Sequence, residues 1–105
     1  MAWEVKYHEK AAQELAELNN SSKVRVVKAI KKVSLNPLPQ SEGGYGKPLG
    51  NRASSKLAGL MKIKLKSIGL RVVYQLIRDD GIMKVLIISI RDDSKVYRDA
   101  EGRIK

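Results

Sequence analysis

The chain has 105 residues, of which 43% are hydrophobic, so it is long enough for one small domain and is not a disordered tail. It contains no cysteine, which excludes disulfide frameworks, thiol nucleophiles and cysteine-ligated zinc. Lys and Arg total 21 against 11 Asp and Glu, a net charge of +10. This excess predicts an anionic partner: nucleic acid, an anionic membrane surface or an acidic protein.

Two other features narrow the class of protein. The first ten residues, MAWEVKYHEK, carry charges and lack an apolar stretch, so they do not have the pattern of a signal peptide. The longest apolar run, Val85 to Ile88, is too short to span a bilayer. His8 is the only histidine and is predicted to start a helix, not to act as a general base. We therefore expect a cytoplasmic protein with no membrane partner, no metal and no other cofactor.

The first third of the chain predicts a strand and two helices. Residues 2–7 alternate weakly between polar and apolar, as a short strand does. Apolar residues at helical spacing predict one helix over 8–18 and a second over about 22–35, capped by Ser21 or Ser22. The two helices are expected to form a hairpin with a short connection.

Residues 36–56 predict a long irregular loop, because all three prolines and four of the eight glycines fall there. A loop of this length in a small domain is typically functional or mobile. Tyr45 lies within it and could stack on a base, although most loop tyrosines do not. Trp3 and Tyr74 are predicted to belong to the core.

The second half predicts strands joined by tight turns, with strands at 60–66, 71–77 and 83–90 and turns at 67–70 and 79–81. Residues 94–104 are expected to add a short segment or a loose C-terminal helix. The order β-α-α-β-β-β predicts an α+β fold: a two-layer sandwich with a helical hairpin packed on a mainly antiparallel sheet. We expect residues 1–105 to form this single domain.

The first hairpin of that sheet has one apolar and one cationic face. A two-residue turn at Ile68-Gly69 would pair Lys66 with Arg71, and directly opposed residues share a face. The face predicted to pack on the helices carries Met61, Ile63, Leu65, Val72, Tyr74 and Leu76. The opposite face carries Lys62, Lys64, Lys66 and Arg71, with Arg91 beside them if the third strand lies next to the second.

Rows of lysine often keep an edge strand from aggregating, and that is the ordinary interpretation of this pattern. Two observations favour a binding surface. The cations lie on a sheet face, not only along an edge, and they recur at every second position across a hairpin. Like charges placed opposite one another are unfavourable, so such a patch needs solvent or an anion.

Three stretches resemble the RelE toxins of the RelE/ParE toxin–antitoxin superfamily: KPLG (47–50), LAGLMKIKLKSIGLRVVYQL (57–76) and ISIRDDSKVY (88–97). The pattern Leu-x-Gly-Leu-x-basic-x-basic, followed by Gly-x-Arg-Val-Val-Tyr, carries the resemblance. It implies a ribosome-dependent endoribonuclease that cuts mRNA without a metal. It also implies that the partners are a cognate antitoxin, the ribosome and mRNA.

The resemblance further implies a set of site residues. The catalytic set falls on Lys62, Lys64, Arg71, Arg91 and Tyr97, and RNA binding on Lys66, Lys47 and Arg52. Arg71 and Arg91 suit charge stabilisation, and Arg91 is also the implied donor to the leaving group. Crowded cations favour the neutral form of a lysine, so Lys64 is a candidate base. Tyr97 is the alternative, and the sequence does not separate the two.

Two other functions stay open from the sequence. A ParE-like toxin shares the fold and poisons DNA gyrase without cutting nucleic acid itself, but it generally lacks the full basic and tyrosine set. A basic RNA-binding module without activity would need only the charge. A gene for an acidic antitoxin beside this one would favour either kind of toxin over an RNA-binding module without activity.

Overall fold

The computed structural model describes residues 3–48, 60–89 and 102–103. These residues form two helices and five strands: β1 (Glu4–Tyr7), α1 (Glu9–Ala16), α2 (Asn20–Ser34), β2 (Lys47–Pro48), β3 (Leu60–Leu65), β4 (Leu70–Ile77) and β5 (Ile82–Ser89). The strands make one sheet in the order β1-β5-β4-β3-β2, with β1 parallel to β5 and the other neighbours antiparallel. This confirms the predicted α+β fold and adds the short strand β2.

Side-chain caps mark where both helices begin. His8 precedes α1, and its Nδ1 accepts a hydrogen bond from the Lys10 amide at 3.1 Å, which confirms the predicted helix start. Asn19 caps α2, with its Oδ1 accepting from the Ser22 amide at 2.8 Å. The prediction of a serine cap was therefore wrong. Asparagine is at least as good a cap, and Asn19 comes first along the chain.

The hydrophobic core lies between the two helices and one face of the sheet. All six residues predicted to face the helices contribute to it: Met61, Val72 and Tyr74 are buried in the core, and Ile63, Leu65 and Leu76 are partly buried and pack against it. The helices contribute Ala11, Val26, Ile30 and Val33, each less than 9% exposed. Trp3 packs against the same cluster, as predicted. Burial of apolar surface on this scale is the main stabilising contribution in a domain of this size.

Strand β5 is an interior strand of the sheet, between β1 and β4, in agreement with its continuous apolar run. The four residues from Val85 to Ile88 are at most 2% exposed, so both faces of the sheet are covered here. A β-bulge interrupts the pairing with β4 between Val73 and Tyr74. The extra residue shifts the alternation, so both ends of the apolar run pack into the core.

The pairing of β5 with β1 ends at Val85, and beyond that residue an ion pair between Glu14 and Arg103 occupies the edge of β5. The Arg103 guanidinium donates hydrogen bonds of 2.8 Å to the Leu86 carbonyl and to Glu14 Oε1. The same Glu14 oxygen accepts from the Ile88 amide at 3.1 Å. Two side chains from opposite ends of the chain thus satisfy backbone groups that the short strand β1 does not reach.

The hairpin between β3 and β4 closes through a longer turn than predicted. Lys66–Ile68 forms one 3-10 turn, and Gly69 follows with φ of +65°. A two-residue type I′ turn needs positive φ at both central positions, which the β-branched residue before the glycine disfavours. The predicted pairing of Lys66 with Arg71 is therefore wrong, and Arg71 lies opposite Lys64. The register moves by an even number of residues, so each side chain keeps its predicted face.

The described part of the predicted loop, residues 36–48, has a defined hydrogen-bonded structure. It contains a 3-10 turn at Gln40–Glu42 and ends in β2. The buried Tyr74 hydroxyl donates a 2.8 Å hydrogen bond to the Pro37 carbonyl and ties this segment to the sheet. The predicted loop is confirmed for residues 36–46, and only residues 47–48 form a strand that was not predicted. The order of this segment comes from backbone hydrogen bonds, which leave no periodic pattern in the side chains.

We expect Tyr74→Phe to lower the free energy of unfolding by about 1–2 kcal/mol at neutral pH, because the Pro37 carbonyl loses its donor. Burial raises the pKa of Tyr74 above its ordinary value of 10.0. Above that pH the unfolded chain releases the tyrosine proton while the native state keeps it. The stability that comes from the protonated hydroxyl is therefore present at lower pH and is lost as pH rises further. Urea unfolding at pH values from about 7 to 11 should show that the free energy of unfolding falls less with rising pH in Tyr74→Phe than in the parent.

Part of that alkaline loss should persist in the variant, because burial also raises the pKa of Tyr7. Equal stability of parent and Tyr74→Phe at every pH would contradict the role given to the Tyr74 hydroxyl.

None of the helices in the described ranges is long and apolar enough to cross a membrane. Of the segment predicted at 94–104, only residues 102 and 103 are described, and both are helical.

Candidate phosphate-binding site

Two cross-strand pairs of cations lie on the face of the sheet opposite the helices. Lys47 of β2 lies opposite Lys62 of β3, and Lys64 of β3 lies opposite Arg71 of β4. Directly opposed residues in such a ladder have Cα atoms about 4.5–5.5 Å apart. Lys62 and Lys64 are about 7 Å apart along the strand. Three neighbouring strands therefore bring four cationic residues onto one small area.

A pocket of about 350 Å³ opens along β3, where Ile63 of the helix-facing side and Lys62 and Lys64 of the opposite side all line it. Its walls come from the end of α2, the segment before β2, and strand β3 with the turn that follows it. The lining residues are Val33, Tyr45, Lys47, Lys62, Ile63, Lys64 and Lys66. The volume lies in the range of small-ligand sites, so it is large enough for one nucleotide unit.

The electrostatics of this pocket favour an anion. Its lining has four lysines and, among the residues that the structure describes, no carboxylate. Helix α2 adds positive charge on the side nearest Tyr45, since Lys32 Nζ lies 5.5 Å from the centre of the tyrosine ring. About two turns earlier in α2, Arg25 donates a 3.0 Å hydrogen bond to the Ser67 hydroxyl in the turn after β3. Bringing a phosphate here would relieve the repulsion among these charges.

The usual acid–base residue is remote from this pocket. His8 caps α1 and lies beside β5, which is separated from β3 by β4. Burial, and then the charge of Arg103, lower the pKa of His8. In the described ranges, no three His, Asp or Glu side chains come close enough together to hold a metal ion. Among the described residues, the pocket offers lysine and tyrosine side chains, with Arg71 on the neighbouring strand.

The structure brings together five of the eight residues assigned from sequence. Lys47, Lys62, Lys64 and Lys66 line the pocket, and Arg71 lies directly opposite Lys64. The other three, Arg52, Arg91 and Tyr97, lie outside the described residues.

Sequence reasoning missed two contributors to this site. Tyr45 was set aside as an ordinary loop tyrosine, yet it lines the pocket. Lys32 was not assigned to the site, yet it lies over the Tyr45 ring. The glycines on both sides of Tyr45 were the available signal, because glycine marks places where the backbone approaches other atoms closely.

Comparison with known sequences agrees with the resemblance. A chain of Escherichia coli described as a RelE-like toxin is 32% identical over 108 residues, which cover 100% of both chains. The mRNA interferase toxin RelE of Escherichia coli is 29% identical over 104 residues, which cover 99% of each. No protein-family model matches the chain.

Comparison with solved structures gives the same fold. The Escherichia coli RelE toxin in the free state, in a variant with two arginines changed to alanine, superposes with a TM-score of 0.77 at 26% identity and full coverage of both chains. The same variant in complex with a peptide of the antitoxin RelB gives 0.69 at 25% identity, covering 95% of each chain. With its helices, its sheet order and the cationic strands β3 and β4 in place, this chain belongs to the family of RelE-like toxins.

Proposed function

We propose that this chain is the toxin of a toxin–antitoxin pair and cuts mRNA on the ribosome. The observation that carries the proposal is the cluster of Lys62, Lys64 and Arg71 on adjoining strands, beside a pocket of nucleotide size. Relatives over the full length of the chain are named mRNA interferases, which supports the same activity here.

The proposed reaction is an internal transfer at phosphorus. The 2′-oxygen of one ribose forms a bond to the adjacent phosphorus while the bond from phosphorus to the 5′-oxygen breaks. The products are a 2′,3′-cyclic phosphate and a free 5′-hydroxyl. One proton leaves the 2′-hydroxyl for a base, and another proton reaches the departing 5′-oxygen, so the step balances without the uptake of water.

The cationic side chains fit the demands of this step. Arg71 is permanently charged and can place two N–H groups on the phosphate oxygens, where negative charge grows in the transition state. Lys62 can add a second charge from the neighbouring strand. Lys64 is the candidate base among the residues that the structure describes, and Tyr97 remains the alternative. Arg91 is proposed as the donor to the 5′-oxygen.

Lysine and tyrosine are usually protonated at neutral pH, so either is an imperfect base. We therefore expect slow cleavage of free RNA. Positioning by the ribosome would supply the missing rate, because correct orientation of reacting groups can lower a barrier by several kcal/mol. Lys66, Lys47 and Arg52 are proposed to hold flanking phosphates, and binding of that kind weakens as salt rises.

The proposed partners are a cognate antitoxin, the ribosome and mRNA, in the cytoplasm. Related toxins have been solved with the antitoxin RelB, which supports an antitoxin here. A net charge of +10 would suit an acidic antitoxin. We propose that the whole chain acts as one domain.

The deciding experiment is induced expression followed by mapping of transcript 5′ ends. We expect new ends within translated reading frames that carry a 5′-hydroxyl. The control is the same transcript with its start codon removed, which should stay intact because the ribosome no longer positions it. Growth arrest with intact transcripts would instead point to gyrase poisoning, and cuts on both transcripts would reject dependence on the ribosome.

A further inference from the structure

Tyr45 is the one aromatic side chain in the lining of the cationic pocket, among the residues that the structure describes. It is 47% exposed, which is unusual for a large hydrophobic residue in this chain. The same lining includes Lys47 and Lys62, which lie opposite each other on β2 and β3. A flat, accessible ring therefore lies next to the charges assigned to phosphate.

Backbone hydrogen bonds and close contacts fix the segment that carries this ring. The Tyr45 amide donates to the Asn36 carbonyl at 2.9 Å, and the Gly46 amide donates to the Leu38 carbonyl at 2.9 Å. A side chain at Gly44 would collide with the backbone of Leu38. At Gly46 it would come within 2.5 Å of the Tyr74 hydroxyl. The packing on both sides thus fixes the backbone from which Tyr45 projects, so little backbone entropy is lost when something binds to the ring.

Helix α2 extends the cationic surface past the pocket. Lys32 lies over the Tyr45 ring, and Arg25 lies two turns earlier beside the turn that follows β3. These two residues are about 10 Å apart along the helix axis. On the other side, Lys62 and Lys64 are about 7 Å apart along β3, and Lys66 follows in the 3-10 turn after the strand. Two roughly parallel rows of positive charge, with an aromatic ring at one end, therefore border the pocket.

A positively charged groove with aromatic side chains is how proteins hold single-stranded nucleic acid: the charges follow the backbone and the bases stack on the rings. An acidic peptide would satisfy the charges but has no general need for a flat ring beside them. Packing alone does not account for Tyr45, because about half of its surface is left open. The cation–π contact with Lys32 is compatible with RNA, since the ammonium can turn to a phosphate when a base covers the ring.

We propose that Tyr45 is a base-stacking platform, and that the row of cations on α2 holds the phosphates of the same RNA strand next to the cleavage site. This inference rests on the proposed function, because it assigns a second subsite to the same RNA.

The test is direct binding of the full-length protein to a short oligoribonucleotide. The probe carries fluorescent 2-aminopurine at each position in turn and 2′-O-methyl riboses, so it has no nucleophile and cannot be cut. Stacking of the fluorescent base on a tyrosine quenches it. We expect quenching at one position for the parent and for Tyr45→Phe. For Tyr45→Ala we expect that quenching to disappear and the affinity to fall about tenfold.

Leu35→Ala is the matched control. Leu35 is also an exposed hydrophobic residue, 61% accessible, at the end of α2, and it does not line the pocket. Its affinity and quenching should equal those of the parent, and thermal melts should show that each variant is folded. Parental quenching and affinity in Tyr45→Ala would overturn the proposal. So would an acidic peptide whose binding depends on Tyr45 when RNA binding does not, because the surface would then be a protein interface.

Failure of this inference is distinguishable from failure of the proposed function. If translated transcripts are cut and Tyr45→Ala binds and quenches like the parent, only the stacking platform is rejected. If no transcript is cut but Tyr45→Ala loses quenching, the platform stands and the nuclease is rejected.

Discussion

Lys64→Ala is expected to lower the rate of cleavage of translated transcripts by about 100-fold or more. Lys64 lies between Lys62 on its own strand and Arg71 on the neighbouring strand, so its alanine variant loses the central charge of the cluster. Loss of a positioned base or of one charge that stabilises the transition state has effects of about this size in other enzymes. Primer extension on a reporter transcript over a time course measures the rate directly.

A second substitution at the same position separates the two roles that Lys64 could have. Lys64→Arg keeps the positive charge but provides a group that does not release its proton near neutral pH. If Lys64 is the base, Lys64→Arg should be nearly as slow as Lys64→Ala. If Lys64 only stabilises charge, Lys64→Arg should recover most of the rate, and the base would then be assigned to Tyr97.

Lys6→Ala is the control for loss of charge alone. Lys6 is an exposed residue of β1, which is separated from β3 by β5 and β4 in the sheet. The distance across these strands is about 14 Å. We expect Lys6→Ala to cut at close to the parental rate. Parental cleavage by Lys64→Ala, or an equal loss in Lys6→Ala, would remove the basis for a catalytic cluster on β3 and β4.

The faces of the sheet were predictable because a strand has a period of two residues. The prediction placed Arg71 opposite the wrong lysine. The register differed from the prediction by an even number of residues, so no side chain changed face. Burial of the apolar face therefore determined which residues meet the helices, although Ile63 of that face also lines the pocket. The exact partner of Arg71 required the turn geometry around Gly69, which is decided by one β-branched neighbour.

The position of Tyr45 and the edge of β5 were not predictable in the same way. Tyr45 is placed by backbone hydrogen bonds to Asn36 and by close contacts at the glycines beside it. Glu14 and Arg103 are 89 residues apart in the chain. Neither relationship leaves a repeating pattern of polar and apolar residues. Such contacts depend on the completed tertiary structure, so sequence periodicity carries no information about them.

The same ion pair gives the second large effect, on stability. We expect Glu14→Ala to lower the free energy of unfolding by about 3 kcal/mol. The side chains of Arg103 and Glu14 are only 9% and 19% exposed, so the variant leaves a nearly buried guanidinium without its carboxylate. It also removes the acceptor for the Ile88 amide. For a domain of this length the melting temperature should fall by about 12–20 °C, measured by circular dichroism.

Glu42→Ala is the matched control, because it also removes a carboxylate that holds an arginine through two hydrogen bonds. Hydrogen bonds from Arg78 lower the pKa of Glu42. The Glu42 side chain is 43% exposed and that of Arg78 is 52% exposed, so solvent screens the pair. A melting temperature near the parental value is expected. The double variant Glu14→Ala/Arg103→Ala should lose less stability than the two single losses added, because the pair is then removed together. Equal melting temperatures for Glu14→Ala and Glu42→Ala would mean that burial of the first pair contributes nothing to the fold.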